Sequence, residues 1–380
     1  MSNRFQNILQ WWFPNKDELQ WVLATIVNIE GSSYRKPGAR MLINSLGQYK
    51  GMLSGGCLEA DILLNAKTVI DENASRTIRY DMANDEDSAW ALGVGCGGIV
   101  DILLQPVHVE NQYLQLNIVY EYLCNSVAVR YYQHVLNHTN YVVPYVKADE
   151  HTRYQPTGET SADSHTDAVS NQETLLNSAD ELVFSSEVQP NPKLVIFGGG
   201  KDAIPLCDMA NVLGWHVTVI DKRTSYARRH YFKQADCLLS AEELPDIWWH
   251  NVSATVIMHH NVDMDVNALF TLAEKLLTLP PTSPSSLPPS KLAYIGLLGP
   301  FHRKEKILDQ LNTEYGIKAS AFLPVLIDGP AGYDIGAELP ESIALAILSK
   351  AHAEIENKHA RKYSTTKHVA AKEKLERHKE

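Results

Sequence analysis

The apolar positions of the chain fall into blocks whose spacing changes from one stretch to the next. Residues 21–29, Trp21-Val22-Leu23-Ala24-Thr25-Ile26-Val27-Asn28-Ile29, form a run rich in β-branched side chains and predict a strand. Residues 41–44 predict a second strand, Gly47 a turn, and residues 49–53 a third strand. From Leu58 to about residue 73 the pattern becomes helical, with Leu58, Ile62, Leu63, Ala66, Val69 and Ile70 on one face. Glu59 and Asp61 stand in its first turn, where acidic side chains favour the positive end of the helix dipole. The loop Ser54-Gly55-Gly56-Cys57 runs straight into this helix. A second glycine-rich turn, Gly93-Val94-Gly95-Cys96-Gly97-Gly98, precedes a returning strand over residues 99–104.

Residues 147–191 carry few large apolar groups among many Asp, Glu, Ser, Thr, Asn and Gln, and predict a linker. Residues 193–197 then open an alternation of strands and helices, with further strands at 216–220, 235–239, 254–259 and 292–298. That alternation predicts a doubly wound parallel sheet. The Pro/Ser/Thr stretch 280–289 reads as an exposed insertion. The expected fold is α/β: an N-terminal α/β (α+β) domain over residues 1–110, a helical and polar connection over 111–190, a C-terminal Rossmann-like doubly wound domain over 191–350, and a charged tail over 351–380.

Composition adds exclusions. A length of 380 residues suits two domains, and 44% hydrophobic with 21% charged residues places the chain among ordinary globular proteins. A formal net charge of −11 argues against nucleic acid as a partner. The chain has no run near the roughly 18 apolar residues of a membrane span and no signal-type h-region, so the expectation is a cytoplasmic protein with no membrane partner. The 5 cysteines, Cys57, Cys96, Cys124, Cys207 and Cys237, are odd in number and scattered, which suits reduced thiols. Cys124, Cys207 and Cys237 lie in apolar contexts and are expected in the core.

Gly198-Gly199-Gly200-Lys201-Asp202-Ala203 fits the dinucleotide pattern of a glycine turn between strand and helix. Gly198 and Gly200 would let the backbone approach a pyrophosphate, Ala203 occupies the third motif position, and Asp221, about 20 residues on, is placed to hold ribose hydroxyls. NAD(P) or a related nucleotide is the candidate ligand. Asp221 favours NAD, and Lys222 and Arg223 beside it offer partners for a 2′-phosphate. The loop Met258-His259-His260-Asn261-Val262-Asp263-Met264-Asp265 leaves a later strand at the rim of the same crevice, as metal ligands or as a helix cap with packed histidines.

Cys57, at a helix N-terminus, is placed to stabilise a thiolate or attract an anion, and Cys96, between glycines, leaves room for a ligand against the backbone. Both could equally be small buried residues of tight turns. Arg35, Lys36 and Arg40 form a basic cluster around the Gly31 loop, suited to an anionic ligand.

The stretches Glu30-Gly31-Ser32-Ser33-Tyr34-Arg35-Lys36-Pro37-Gly38-Ala39-Arg40-Met41 and Gly51-Met52-Leu53-Ser54-Gly55-Gly56-Cys57-Leu58-Glu59 resemble the N-terminal signature of the XdhC/CoxI family, accessory factors of molybdenum hydroxylases. Gly95-Cys96-Gly97-Gly98 resembles its second signature, and Gly198–Ala203, residues 294–299 and residues 332–344 resemble its C-terminal half. Tyr34 stands where many relatives carry proline. The resemblance implies a chaperone more than an enzyme. It would bind the molybdenum cofactor, shield it while a cysteine desulfurase supplies the terminal sulfur, and deliver it to a xanthine-dehydrogenase-type hydroxylase, acting as a homodimer. It places Arg35, Ser54, Gly55, Gly56, Cys57, Glu59, Cys96 and Gly97 near that cofactor, with Cys57 and Cys96 as candidate contacts to sulfur or molybdenum. The alternative is an NAD(P)-dependent oxidoreductase that combines the Rossmann domain with the glycine–cysteine loops.

Overall fold

The computed structural model describes residues 2–81, 98–135, 140–144, 174–178, 181–223, 225–239, 246–249, 251–277, 291–322, 324–325 and 327–357. The chain divides between Asn191 and Pro192 into two compact units. Cys96, Gly97, the Pro/Ser/Thr stretch 280–289 and the tail from residue 358 lie outside the described residues.

In the first unit, α1 (Phe5–Trp12) precedes an antiparallel sheet of β1 (Trp21–Glu30), β2 (Arg40–Asn44), β3 (Tyr49–Gly51), β4 (Arg76–Asp81) and β5 (Ile99–Val107), in the order β3-β2-β1-β5-β4. Both faces of β1 are covered, so its first seven residues are all buried and its sequence shows a continuous apolar run. Helix α2 (Glu59–Glu72) presses Ile62, Ala66 and Val69 onto one face, against Val22, Ala24, Ile26 and Ile102. On the other face, Trp21, Leu23 and Leu42 meet α1 and α3 (Leu116–Cys124).

A second antiparallel sheet completes the unit, made of β6 (Val129–His134), β7 (Tyr141–Pro144), β8 (Thr174–Ser178) and β9 (Glu181–Val188) in the order β7-β6-β9-β8. The polar stretch expected to be a linker therefore ends in two strands, with β9 paired to β6 from Val129↔Val188 to His134↔Val183. Composition concealed β9 because two of its buried positions are Ser185 and Ser186.

Those serines are tolerated because a buried polar network joins the two sheets. Arg40 is 5% exposed, and its guanidinium donates to the Gly38 carbonyl at 3.1 Å, to Gln133 Oε1 at 3.2 Å and to Ser186 Oγ. It also lies 4.7 Å from the Phe5 ring centroid and 5.2 Å from that of Tyr131. Gln133 Nε2 donates to Thr25 Oγ1 and Gln105 Oε1, both at 3.1 Å, and Asn140 Nδ2 donates to Gln105 Oε1 and the Tyr131 hydroxyl. Arg40 is thus an internal brace, not a member of a basic surface cluster.

The second unit is a six-stranded, wholly parallel sheet of β10 (Lys193–Phe197), β11 (His216–Ile220), β12 (Cys237–Leu239), β13 (Ala254–Ile257), β14 (Tyr294–Leu297) and β15 (Ile327–Asp328). Its order, β12-β11-β10-β13-β14-β15, reverses direction between β10 and β13. Helices α4 (Ala203–Val212) and α8 (Pro340–Ile355) cover one face. On the other lie α6 (Val262–Leu277) and α7 (Phe301–Tyr315), with the short α5 (Asp246–Trp249) leading into β13. This is the Rossmann-like sheet the alternation predicts. Helix α8 carries five residues past 350, and Ala351 is fully buried, so the core of this unit reaches into the segment expected to be tail.

Among the described residues no helix is long and apolar enough to cross a membrane. Arg40→Ala removes hydrogen bonds from a site that water does not reach, with an expected loss of about 3 kcal/mol. Arg40→Lys, which lacks the planar fork, should recover only part of it. Urea denaturation followed by circular dichroism measures both, and an unchanged midpoint for Arg40→Ala would refute the brace.

Candidate functional site

Three separated pieces of the first unit come together where β1 ends. Gly98 abuts the loop that follows β1: a β-carbon there would stand 2.3 Å from the Ser32 carbonyl oxygen and 2.8 Å from that of Glu30, an approach only glycine permits. The Tyr34 ring covers Gly55, where an added β-carbon would sit 3.5 Å from the ring. The loops at residues 31–38 and 54–57 and the start of β5 therefore share one neighbourhood. Arg35 is half-buried in the first of these loops.

The second loop takes its shape from Glu59, the first residue of α2, whose carboxylate folds back onto it. Oε1 accepts the N–H groups of Leu53 at 3.0 Å and Ser54 at 2.9 Å, and Oε2 accepts the Gly56 N–H at 2.8 Å and the Ser54 hydroxyl. Ser54 Oγ in turn accepts the Leu58 N–H at 2.8 Å. Burial pushes the Glu59 carboxyl up, but hydrogen bonds from the Ser54 hydroxyl and the loop backbone outweigh it and hold the group below its ordinary value. With each oxygen accepting two bonds, Glu59 organises the loop. Cys57 is exposed at the loop's end, and α2 has no side-chain cap. The buried-turn reading therefore fails for Cys57. Cys207 is buried as expected, whereas Cys124, at the end of α3, is exposed and Cys237 is half-buried.

In the second unit the glycine turn follows β10. Gly198 has φ +111°, and a β-carbon there would stand 2.7 Å from the Met258 carbonyl oxygen, so the turn nests against the loop after β13. Gly200 carries the chain into α4, and Ala203 is fully buried at its start. The Asp221 side chain is also fully buried. It accepts the N–H groups of Gly199 at 2.8 Å and Arg223 at 2.9 Å, and the Arg223 guanidinium binds it through Nε at 2.9 Å and Nη2 at 2.8 Å. Burial raises its carboxyl pKa, while Arg223 and the two N–H groups more than reverse the effect. Asp221 thus ties β11 to the glycine turn, and Arg223 faces back onto it and over the Tyr226 ring at 3.6 Å.

Among the described residues no group of three potential ligands is close enough to hold a metal, and α6 is capped by Asn261, whose Oδ1 accepts the Met264 N–H at 2.9 Å, where the sequence pointed to Asp263 or Asp265. Asp265 accepts the His259 N–H at 3.1 Å, faces His259 Nδ1 at 3.2 Å and receives Arg303 Nη2 at 2.5 Å. His260 Nε2 meets Asp202 Oδ2 at 2.7 Å. Sequence reasoning missed Arg303, since nothing in its local pattern links α7 to a carboxylate on α6. Two clefts open at the carboxyl ends of the parallel strands. One of about 900 Å³ opens at the ends of β13 to β15, by Asp202, His260, Gly299, Arg303 and Tyr333. The other, of about 510 Å³, opens at the ends of β10, β11 and β13.

An α+β domain with a carboxylate-held glycine–cysteine loop, followed by a Rossmann domain, is the class these features define. A family model described as the XdhC Rossmann domain matches residues 194–351, and one described as the XdhC and CoxI family matches residues 16–81. The chain belongs to the XdhC and CoxI family. It is 29% identical over 363 residues to a protein of Bacillus subtilis named as a probable xanthine dehydrogenase subunit, covering 88% of this chain and 93% of that relative. It is 37% identical over 84 residues to the molybdenum cofactor insertion chaperone PaoD of Escherichia coli, 22% of this chain and 25% of that protein. The crystal structure of a xanthine dehydrogenase from Bacillus halodurans matches with a TM-score of 0.69 at 28% identity, over 96% of this chain and 98% of that one.

Because the Glu59 pKa is lower in the folded state than in the unfolded one, its stabilisation is present above the ordinary carboxylate range and is lost as pH falls through the depressed value. Glu59→Gln should cost about 2 kcal/mol at pH 7, and the gap to wild type should narrow as the pH is lowered below the ordinary carboxylate range. Denaturation midpoints of both proteins across that range check this; a gap independent of pH would show that the charge does not hold the loop.

Proposed function

We propose that this protein carries molybdenum cofactor as cargo, supports its sulfuration by a cysteine desulfurase, and delivers it to a xanthine-dehydrogenase-type molybdenum hydroxylase. The observation that carries the reading is the exposed Cys57 thiol on a glycine loop with a preset shape, in a chain related to a molybdenum cofactor insertion chaperone. The residues present suit such a cargo. Among the described residues no atom lies within 4 Å of where a Gly56 β-carbon would be, which suits close approach of a ligand to the loop backbone. The N–H groups at the start of α2, which no side chain caps, favour a phosphate or another anionic group of the cargo. In this reading Ser54, Gly55 and Gly56 shape the cradle, Arg35 meets anionic groups, Cys57 and Cys96 contact sulfur or molybdenum, Gly97 gives the cargo room, and Glu59 keeps the loop in place. The protein works as a homodimer in the cytoplasm.

The Rossmann unit, in the same proposal, holds a nucleotide, NAD(P) or a relative, across its glycine turn. The two clefts at the carboxyl ends of the strands, one reaching Asp202 and the other Phe197 next to the glycine turn, favour this. A ribose bound at Asp221 would have to turn Arg223 away.

The test is anaerobic purification from a host that makes molybdenum cofactor, with bound molybdenum and oxidised pterin measured for wild type, Cys57→Ala and Cys96→Ala. Near-stoichiometric cofactor in the wild type, reduced several-fold by either substitution, is the expected result. Cofactor-free wild type would sink the carrier reading, and substrate oxidation linked to NAD(P) in that preparation would put an oxidoreductase in its place.

A further inference from the structure

The cleft at the ends of β10, β11 and β13 has a construction that the glycine turn alone does not demand. Its walls are mainly apolar, with Phe197, Ile220, Met264 and Phe270, and its volume of about 510 Å³ lies within the range of small-molecule sites. One polar group in it is held by a buried charged relay. His259 is 7% exposed and Asp265 is 1% exposed. Asp265 faces His259 Nδ1 at 3.2 Å and is itself fixed by Arg303 at 2.5 Å. A carboxylate only accepts, so in the neutral ring Nδ1 carries the proton and Nε2 the lone pair. No described residue hydrogen-bonds Nε2, and the ring lines the cleft beside Phe197, with centroids 6.4 Å apart. Of the other polar groups of the wall, Asn267 donates to the Asp263 carbonyl and accepts from Tyr315, and Thr271 donates to the Asn267 carbonyl, while Lys222, Glu274 and Lys275 bring charge to the cleft.

We propose that this cleft is a nucleobase subsite in which His259 Nε2 accepts a hydrogen bond from an exocyclic amino group, so that the Rossmann unit selects nucleotides with an amino-bearing base. Phe197, Ile220 and Met264 supply apolar surface for the ring, and Asp265 with Arg303 fixes the tautomer that makes His259 an acceptor. A base with a keto oxygen at that point would set a lone pair against the Nε2 lone pair, an acceptor facing an acceptor with no proton between them. The inference rests on the nucleotide reading of the glycine turn and adds to it which chemistry is read at the base.

Calorimetric titration of the full chain with ADP against IDP, and CDP against UDP, compares amino and keto bases on the same ribose and phosphates. The wild type should bind the amino member of at least one pair on the order of tenfold more tightly. His259→Ala should bring the two members of that pair to equal affinity. Equal affinities within both pairs for the wild type, or a preference that survives in His259→Ala, overturns the base subsite while leaving the nucleotide reading intact. Failure of all four to bind overturns the nucleotide reading and the subsite with it. The wild-type comparison requires no variant to fold.

Discussion

A buried carboxylate that accepts backbone N–H groups is the interaction on which the glycine loops of this protein depend. Glycine residues let the chain turn sharply, yet they also leave the unfolded loop the most conformations to lose. A glycine loop holds one shape only where something else specifies it. Glu59 does this for residues 53–58 through four hydrogen bonds, and Asp221 joins the Gly199 N–H to the end of β11. Asp265 fixes the turn after β13 through the His259 N–H. In each case charge is buried, which is costly alone, and three or more hydrogen bonds, with an arginine in two of the three cases, offset it. The loops are shaped before any ligand arrives, which lowers the ordering cost of binding.

The same device separates organising residues from contacting ones. Glu59 and Cys57 are two positions apart, and sequence alone places both near a ligand. Once the lone pairs of Glu59 are assigned, the cargo contact proposed above is left to the loop's backbone and to the exposed thiol. Arg40 divides from Arg35 similarly. Both belong to one basic stretch, but Arg40 is spent inside the unit on Gly38, Gln133 and Ser186, while Arg35 remains half-buried in the loop.

Elements whose burial is apolar were legible in the sequence. β1, α2 and the strands of the parallel sheet follow runs and periods that only hydrophobic burial produces, and the glycine turn could be placed because its strand, helix and acidic residue stand at fixed distances. Elements buried through polar contacts were not legible. β9 carries Ser185 and Ser186 inward, where Arg40 supplies the partner, and no local pattern predicts an arginine 146 residues away in the chain. β4 was missed because, as an edge strand, it buries only Tyr80 fully. Arg303 escaped for the reason Arg40 misled: a cation's partner is a tertiary fact. Only the Asp265 half of that pair, in the first turn of a helix, left a trace in the sequence.

The Arg223–Asp221 pair bears on which dinucleotide the second unit could hold. Asp221 is fully buried and engaged by both guanidinium nitrogens that face it, so a ribose hydroxyl can reach it only by displacing a charge-assisted, bidentate contact. Any ligand that relies on Asp221 would lose part of its intrinsic affinity to that rearrangement, as binding to a minor conformer always does. A ligand with a 2′-phosphate meets a different balance. It would compete with Asp221 for Arg223 instead of competing with Arg223 for Asp221, and a doubly charged phosphate is the stronger competitor for a guanidinium. Lys222, exposed next to the pair, adds positive charge on the same side. The acidic residue that in isolation points to NAD is therefore, in its folded setting, weak evidence for it: neutralised by its own neighbour, Asp221 discriminates less against the phosphorylated form than its position in the motif suggests.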